Sequence, residues 1–522
     1  MTARLPLPIL ALGPVFALTA CAEPSEPIQV FRYADSEPEY LDPGLCAESA
    51  CGRLLPNLFE GLTVLAPDDG PPRPGVAERW EAEQNDTLWT FHLRPDATWS
   101  DGTALTAHDF EYSWQRVADP STASKVAQYT WYLLDGRGVA AGELPVERLG
   151  VNALDDHTLM VELEAPTRYL LELLATPGFA PVPRHVVEPL GSRWVRPENI
   201  VGNGAFVLTE WAPLDHLRLE RNPRFHGADE VALDAVEIAI VEDVAARYKM
   251  YVADELDWLY SVPHAYVPRL KHSREDFHIA DYLASYYYMC NVGRPPLDDV
   301  RVRRALNLAI DKSAIVQHIT RAEERPGRNV VPRIPGYDGP RGPSYDPVRA
   351  RELLAEAGYP GGEGFPQLEI SFNASDMHRL MAEAILGMWN EQLGLDVGLR
   401  TLDWTAYLQR TELGDFEIAR SGWIGDYRDP MAFLEPWYCA GSNNPTGYCE
   451  PEFDALLNQA RTDHDPIRRG RHLRAAEEIL LRDVPLLPVY HYTMPYLLAP
   501  RVRGFEENLL DTHLLRYLSI GP

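Results

Sequence analysis

Strand-like and helix-like hydrophobic patterns alternate along the whole chain, and this interleaving restricts the fold more than any other feature. Residues 87–94, TLWTFHLR, alternate apolar and polar side chains as a half-buried strand does. Residues 300–319 instead place Val302, Leu306 and Ile310 on one face of a helix. Such mixing predicts an α/β protein. Because 522 residues exceed a single ordinary core, we expect two or three lobes.

Local end signals sharpen one of these helices. In DPVRARELLAEAGYP, Asp346 is a typical N-cap, Pro347 suits the first turn and Gly358 suits the exit. The chain has no repeat period and no low-complexity linker, and its 45 prolines are spread through turns. Boundaries between lobes therefore have to come from the pattern of elements.

The charge of the chain excludes one class of partner. A formal net charge of −29 argues against nucleic-acid binding, which needs a basic surface. The same charge suits a highly soluble extracytoplasmic protein, and a generally acidic proteome would explain it equally well. We therefore do not interpret the negative charge as a binding site.

The N-terminus resembles an export signal. Residues 1–21 contain an apolar run that is too short and too rich in Pro and Gly to span a bilayer, and it ends in LTAC at Cys21. This ending resembles the lipobox of bacterial lipoproteins, in which the cysteine carries lipid. A plain secretory signal with a chance cysteine is the alternative. We expect a periplasmic protein that Cys21 tethers to a membrane.

The remaining cysteines fit an exported compartment. Cys46 and Cys51 are close in sequence, as are Cys439 and Cys449, so each pair is a possible disulfide. Cys290 would then remain as a buried thiol. These spacings differ from those of zinc sites, and we expect no metal.

No motif in the sequence indicates catalysis or a cofactor. HExxH, GxSxG, a Walker-type loop and a strand-borne GxGxxG are all missing from the sequence. Pairs of neighbouring acids such as Asp68–Asp69 and Asp298–Asp299 are typical of turns. We expect neither an enzyme nor a bound cofactor.

A series of motifs in fixed order resembles a known family. Residues 88–124 read LWTFHLRPDATWSDGTALTAHDFEYSWQRVADPSTAS, and LFEGL, PGVAERW, NGAFVLTEW, DVRVRRALNLAID, LLAEAGYP and GWIGDYRDP occur before or after them. Together they resemble family 5 extracellular solute-binding proteins of ABC importers, and the oligopeptide-binding branch fits best. The resemblance covers nearly all of the chain beyond the signal.

The resemblance implies a periplasmic-binding-protein type II-like clamshell of three lobes that closes about a hinge around its ligand. After the signal, lobe I comprises residues 22–59, 187–283 and 494–522. Lobe II is inserted and comprises residues 60–186. Lobe III comprises residues 284–493.

Within GWIGDY, the resemblance implies that Asp426 pairs with the α-ammonium of a peptide. A buried cation is tolerated only when it is paired and hydrogen-bonded. Trp423 and Tyr427 are expected to lower the local dielectric, and Gly422 to let backbones approach. The alternative is a turn acid, for which Asp429 is a competing candidate for the anchor.

The other end of the ligand is expected near Arg420 and His378, which occupy positions similar to the carboxylate-facing residues of the family. Arg420 bridging acids within its own lobe is the alternative. Trp404, Tyr287 and Tyr492 match aromatic positions that line the cleft in the family, although aromatic residues are core residues as often as pocket walls.

Several positions depart from the family pattern. A cysteine pair of well-known members is replaced by Ala284 and Ile424, of which Ile424 remains a candidate lining residue. A lysine is replaced by Thr320, and the acidic loop near the N-terminus keeps one acid, Glu48. An aromatic residue is replaced by Val126. Peptide length and side-chain preference are therefore left open.

The resulting hypothesis is a monomeric receptor that binds short peptides and delivers them to an inner-membrane ABC permease. The alternative within the same fold is another cargo, such as a murein peptide, dipeptide, opine or metal chelate. A secreted hydrolase is a third hypothesis, for which we find no motif.

Overall fold

The computed structural model describes residues 28–439, 441 and 443–521. The predicted signal peptide and the predicted lipidation site Cys21 lie outside the described residues. None of the described helices combines the length and apolar character needed to cross a membrane.

Strands and helices alternate along the described chain. The strands are β1 (Val30–Asp35), β2 (Thr63–Val64), β3 (Arg73–Pro74), β4 (Ala77–Glu83), β5 (Leu88–Leu93), β6 (Val151–Asp155), β7 (Thr158–Glu162), β8 (Phe206–Ala212), β9 (His216–Arg221), β10 (Ala235–Ile240), β11 (Trp258–Leu259), β12 (Phe277–Cys290), β13 (Arg325–Pro326), β14 (Leu368–Asn373), β15 (Val397–Leu402), β16 (Ile418–Ile424), β17 (Leu486–Leu498), β18 (Val502–Arg503) and β19 (Ser519–Ile520).

The α-helices range from single turns to 18 residues. They are α1 (Ser49–Leu58), α2 (Ala107–Ala118), α3 (Gly136–Ala140), α4 (Leu170–Leu173), α5 (Arg184–Leu190), α6 (Val244–Val252), α7 (Val267–Ser273), α8 (Val300–Leu308), α9 (Lys312–Ile315), α10 (Pro347–Glu356), α11 (Asp376–Leu393), α12 (Trp404–Glu412), α13 (Met431–Leu434), α14 (Pro451–Thr462) and α15 (Pro466–Asp483).

A mixed sheet of 11 strands runs through the molecule in the order β15-β14-β16-β12-β17-β11-β1-β10-β9-β8, with β13 paired to β17. One half contains the parallel pairs β14–β15 and β14–β16, and the other contains the parallel pair β1–β10. The long antiparallel strands β12 and β17 join the two halves. Residues from predicted lobes I and III thus share one continuous sheet.

A separate antiparallel sheet, β4-β5-β7-β6, lies within the range predicted for the inserted lobe. Its apolar side chains pack with helix α2, where Phe91, Phe110 and Trp114 are fully buried. The strand pattern predicted at residues 87–94 is confirmed by β5. This part of the chain forms its own sheet and is connected to the large sheet by packing rather than by strand pairing.

The pairing of β12 with β17 is interrupted at the predicted boundary between lobes I and III. Asp281 pairs with Thr493 and Ser285 pairs with His491, so residues 282–284 form an irregularity in β12. The backbone of Leu283 bonds elsewhere, donating its N–H to the carbonyl of Leu509 and accepting from the N–H of Gly425. Strand pairing is therefore reduced at this point, since bulges bend strands and disrupt the ladder locally.

Local helix signals explain why helix α10 was predicted correctly and why the helix predicted over residues 300–319 is shorter than expected. Helix α10 begins after Asp346, whose side chain accepts from the N–H of Arg349, and Gly358 has a φ of +100° at its exit. The helix predicted over residues 300–319 is wrong in its length. It ends at Leu308, and Asp311 caps a new turn at α9. An Asp side chain that bonds to the backbone competes with helix continuation.

The structure contains disulfide bonds between Cys46 and Cys51 and between Cys439 and Cys449. Cys290 is a buried free thiol at the end of β12. The first disulfide spans the start of helix α1, where the Glu48 carboxylate accepts from the backbone N–H groups of Ala50 and Cys51. The acid retained in the N-terminal loop is therefore used as a helix cap.

Candidate functional site

Asp426 follows the end of strand β16. The residue before it, Gly425, is fixed by a backbone hydrogen bond to the neighbouring strand β12. Gly425 donates its N–H to the Leu283 carbonyl in the irregular part of β12, at 2.8 Å. A Cβ atom at Gly425 would lie 2.8 Å from the Leu283 side chain and 3.0 Å from the Phe433 ring. The close approach therefore requires glycine. It fixes the strand end from which Asp426 projects.

The Asp426 side chain is accessible to water, yet protein surrounds it closely. The side chain has surface exposed to water, while desolvation by the surrounding atoms raises the pKa of its carboxyl to about 6. These two observations agree when the carboxylate lies on the wall of a narrow water-filled cleft. Among the described residues, no Lys, Arg or His nitrogen lies within 4.0 Å of this carboxylate.

Tyr129, which is distant in sequence, lies close to Asp426. The influence of its hydroxyl partly offsets the rise in the pKa of the Asp426 carboxyl. Burial and the neighbouring carboxylate in turn raise the pKa of Tyr129. Tyr129 belongs to the part of the chain predicted as the inserted lobe. Sequence analysis missed this residue, because nothing in its local sequence distinguishes it from other aromatic residues of that segment.

The residues beside Asp426 differ in orientation. Trp423 is half-buried against the main core, close to the end of β16. Tyr427 is turned away from Asp426, because its ring stacks on Tyr169 and its hydroxyl donates to Glu435. After Gly425 the chain turns, so successive side chains point in different directions.

Asp429, the competing candidate for the anchor, is already paired. Its two carboxylate oxygens accept from the Arg469 guanidinium at 2.7 and 2.8 Å, and it also caps the backbone N–H of Met431. A paired, capping acid has a structural role. Asp426 is the acid of this loop that remains available to a ligand.

A second polar group, Arg420, lies within β16, six residues before Asp426. The Arg420 Nη2 donates to the Tyr492 hydroxyl at 3.2 Å, and the guanidinium lies 4.7 Å from the centre of the Tyr286 ring. His378, at the start of helix α11, lies 3.3 Å from the Tyr286 hydroxyl. Tyr286 therefore connects Arg420 with His378. Sequence analysis did not single it out among three consecutive tyrosines.

Arg420 makes no ion pair with a carboxylate in the described part of the chain. Its Nε is buried there without a hydrogen-bond partner. The alternative of Arg420 bridging acids within its own lobe therefore has no support among the described contacts. Burial and the Arg420 charge lower the pKa of His378 to about 4, so His378 is neutral at pH 7. The pair offers one unneutralised cation and one neutral imidazole.

The other predicted site residues are distributed around this strand. Trp404 is 55% exposed and stacks on Tyr407, whose hydroxyl donates to the Arg420 carbonyl. Ile424 is 53% exposed at the end of β16. A Cβ at Gly422 would lie 3.3 Å from the Ser285 carbonyl oxygen, which is a tight fit.

The structure does not bring Tyr287 into contact with Arg420. Tyr287 projects from the face of β12 opposite Tyr286, packs against Trp437 and is only 5% exposed. Side chains alternate across a strand, so neighbouring tyrosines cannot share one face. Its part in ligand binding stays a prediction.

Two departures from the family pattern now have a structural explanation. Ala284 and Ile424 are direct partners across β12 and β16, which explains why residues at these two positions can change together. Thr320 is buried and donates to the Glu324 carboxylate, also buried. It therefore offers no cationic group in place of the lysine of the family.

The family assignment rests on a match over most of the chain. The model for bacterial extracellular solute-binding proteins, family 5 (middle region), matches residues 71–445. Because this match covers well over half of the chain, the protein belongs to this family. The predicted resemblance is confirmed.

Relatives of similar identity are named for different ligands. The periplasmic oligopeptide-binding protein OppA of Salmonella typhimurium is 36% identical over 505 residues, which cover 94% of this chain and 92% of that one. The probable deoxycholate-binding periplasmic protein YgiS of Escherichia coli is also 36% identical, over 508 residues, with 95% and 94% covered. Both relatives align with nearly the whole chain.

A solved structure supports the fold. The Escherichia coli murein tripeptide binding protein MppA matches with a TM-score of 0.83 and 32% identity, covering 94% of this chain and 98% of that one. The predicted fold class, an α/β clamshell of the type II periplasmic-binding-protein kind, is confirmed. The relatives are binding proteins, and none of them is named as an enzyme.

Proposed function

We propose that the protein is the extracytoplasmic substrate-binding subunit of an ABC importer for short peptides. The observation that carries this proposal is a pair of unneutralised opposite charges, one on strand β16 and one just beyond its end. Asp426 lies at one end of a cleft, and Arg420 lies six residues earlier with its guanidinium unpaired among the described residues. A short peptide is a zwitterion with the matching charges at its two ends.

The Asp426 carboxylate suits the α-ammonium. Enclosing a peptide removes water from its amine, and a desolvated cation needs a charged partner and further hydrogen bonds. The carboxylate is itself partly desolvated, which raises its pKa to about 6. Pairing with an amine therefore relieves an existing cost on the protein as well as the cost on the ligand.

The Arg420 guanidinium suits the α-carboxylate. It presents N–H donors in a planar fork that matches both carboxylate oxygens. The neutral His378 adds a hydrogen-bonding ring nearby. Six residues of extended chain span at most about 20 Å, so the two charges accept a peptide of a few residues. Trp404 and Ile424 supply exposed apolar surface that tolerates varied side chains.

The partners follow from the same proposal. The protein would act as a monomer in the periplasm, tethered through lipid on Cys21, and would deliver peptides to an inner-membrane ABC permease. Relatives named as periplasmic peptide-binding proteins support this location. Lobe I (22–59, 187–283 and 494–522) and lobe III (284–493) would move about the interruption in β12, with lobe II (60–186) inserted.

Other cargoes can be weighed by their charges. Deoxycholate, which a relative is named for, has a carboxylate and no amine. It would leave the partly desolvated Asp426 without a partner, and this disfavours it as the ligand. A murein peptide or a dipeptide with a free amine would satisfy the same anchor.

Ligand identification tests the proposal directly. Mass spectrometry of ligands retained by the natively purified protein should find a mixture of short peptides. Calorimetry should show binding of a simple tripeptide and much weaker binding of deoxycholate. Recovery of a single non-peptide species, or tighter binding of deoxycholate, would overturn the proposed function.

Peptide affinity should depend on pH in a way that reports on Asp426. The free carboxyl group has a pKa of about 6, and pairing with an amine lowers it, so only the ionised form binds well. Between pH 7 and pH 5, affinity should fall about tenfold. A C-terminally amidated peptide is the appropriate probe in calorimetry, since protonation of His378 beside a free carboxylate would act in the opposite direction.

The Asp426→Asn variant is the control for this measurement. It has no titrating carboxyl at the anchor, so its weaker affinity for the same amidated peptide should be nearly flat over this range. An equally steep loss in the variant would assign the pH dependence to another group.

A further inference from the structure

The two residues that follow the proposed amine anchor each contact a different residue of the inserted part of the chain. Tyr169 stacks on Tyr427, and Glu172 binds Arg428. We call residues 426–428 the anchor segment. Its contacts with residues 60–186 are more extensive than capture of an amine requires.

The contact at Tyr427 is close and buried. The rings of Tyr169 and Tyr427 are parallel, with their centres 3.8 Å apart, and both residues are buried. Their hydroxyls donate to the two oxygens of Glu435, at 3.1 and 3.2 Å, and Tyr132 donates to the same carboxylate. Arg461 neutralises Glu435 at 2.8 Å. A stack supported by shared hydrogen bonds resists sliding of one ring across the other.

The contact at Arg428 fixes both backbone and side chain. One oxygen of Glu172 accepts from the Arg428 backbone N–H at 2.7 Å, and the other accepts from its Nη2 at 3.0 Å. The same Nη2 donates to the Gly70 carbonyl at 2.8 Å. Only 8% of the Arg428 side chain is exposed. Glu172 therefore determines where the backbone lies two residues after Asp426.

These contacts matter because the anchor segment lies beyond the end of β16 and has no ladder bonds of its own. A binding carboxylate is effective only when its position is held within a fraction of an ångström. We propose that Glu172 and Tyr169 are positioning residues for amine recognition, through which the inserted lobe orients Asp426. This inference rests on the proposed function.

The test compares Glu172→Gln and Tyr169→Phe with a matched control, Glu164→Gln. Glu164 is an exposed acid of the same part of the chain and makes no ion pair within the described residues. Calorimetry uses one tripeptide with a free amine and the same tripeptide with an acetylated amine. Melting of the unliganded variants shows that each is folded.

Glu172→Gln should weaken binding of the free-amine peptide about tenfold, because a hydrogen-bonded charge pair is lost. Tyr169→Phe should weaken it in the same direction and by less. Binding of the acetylated peptide, which cannot use Asp426, should be unchanged in both variants. The Glu164→Gln control should bind both peptides as the wild type does.

A double variant separates this inference from the proposed function. In an Asp426→Asn background, Glu172→Gln should have no further effect on the free-amine peptide. Equal losses for both peptides, an undiminished effect in that background, or no loss in Glu172→Gln alone would overturn the positioning role. An Asp426→Asn variant that binds normally would instead overturn the proposed anchor, whatever Glu172→Gln does.

Discussion

Asp426→Asn should weaken binding of a free-amine tripeptide by a factor on the order of a hundred to a thousand or more. Removing one partner of an enclosed ion pair costs roughly 3–5 kcal/mol, because the remaining charge is left desolvated and unpaired. Each 1.4 kcal/mol corresponds to about tenfold in affinity. Calorimetric titration of the purified variant with one tripeptide measures the loss directly. A loss under threefold would contradict the assignment of Asp426 as the amine anchor.

The same substitution should not harm the unliganded fold. Desolvation raises the pKa of the Asp426 carboxyl to about 6, so the group is still mostly ionised at pH 7 and its charge is costly in the unliganded fold. A neutral asparagine removes that cost, and the unliganded variant should melt no lower than the wild type. Loss of affinity without loss of stability is the combined result that identifies a ligand-binding group.

Asp429→Asn is the matched control in the same loop. Asp429 pairs with Arg469 through two short contacts and caps the following helix turn. Its substitution should lower the unfolding temperature while leaving affinity much closer to the wild type than Asp426→Asn does. If Asp429→Asn instead caused the larger loss of affinity, the two acids would have to exchange roles.

Local parts of the fold could be predicted from the sequence because their signals are local. Helix α10 shows this, since Asp346 and Gly358 mark its two ends. The break at Asp311 was missed because apolar residues continue in the helical period through it. The continuous sheet joining lobes I and III was not predicted, since strand order depends on contacts between residues distant in sequence.

Some residues of the candidate site could likewise be identified from local sequence motifs, and others could not. Asp426, Arg420 and His378 were identified from motifs whose residues lie close together in sequence. Tyr129 and Tyr286 were not, because their relevance depends on which segment faces the cleft and which face of β12 a tyrosine occupies. The direction of Tyr427 depends on Tyr169, which lies 258 residues earlier in the chain. Side-chain direction after a strand end has no sequence period.

Arg420→Gln should weaken binding of peptides with a free C-terminal carboxylate by roughly a hundredfold, for the same reason of an unpaired desolvated charge. Arg420→Lys should cause a smaller loss, since it keeps the charge and loses the fork that matches two carboxylate oxygens. Peptides of two to five residues, titrated in turn, should show the largest loss at the length whose carboxylate reaches Arg420. The Arg420→Lys variant separates the effect of the positive charge from the effect of bidentate hydrogen bonding.

The C-terminally amidated form of each peptide completes the argument. Because an amide brings no negative charge to Arg420, it should bind the wild type weakly, and Arg420→Gln should change that binding little. If the variant weakened amidated and free peptides equally, Arg420 would be supporting Tyr286 and Tyr492 rather than meeting the ligand. A length-independent loss would lead to the same conclusion. A loss that depends on both the carboxylate and the peptide length is expected only if the two ends of β16 bind opposite ends of one short zwitterion.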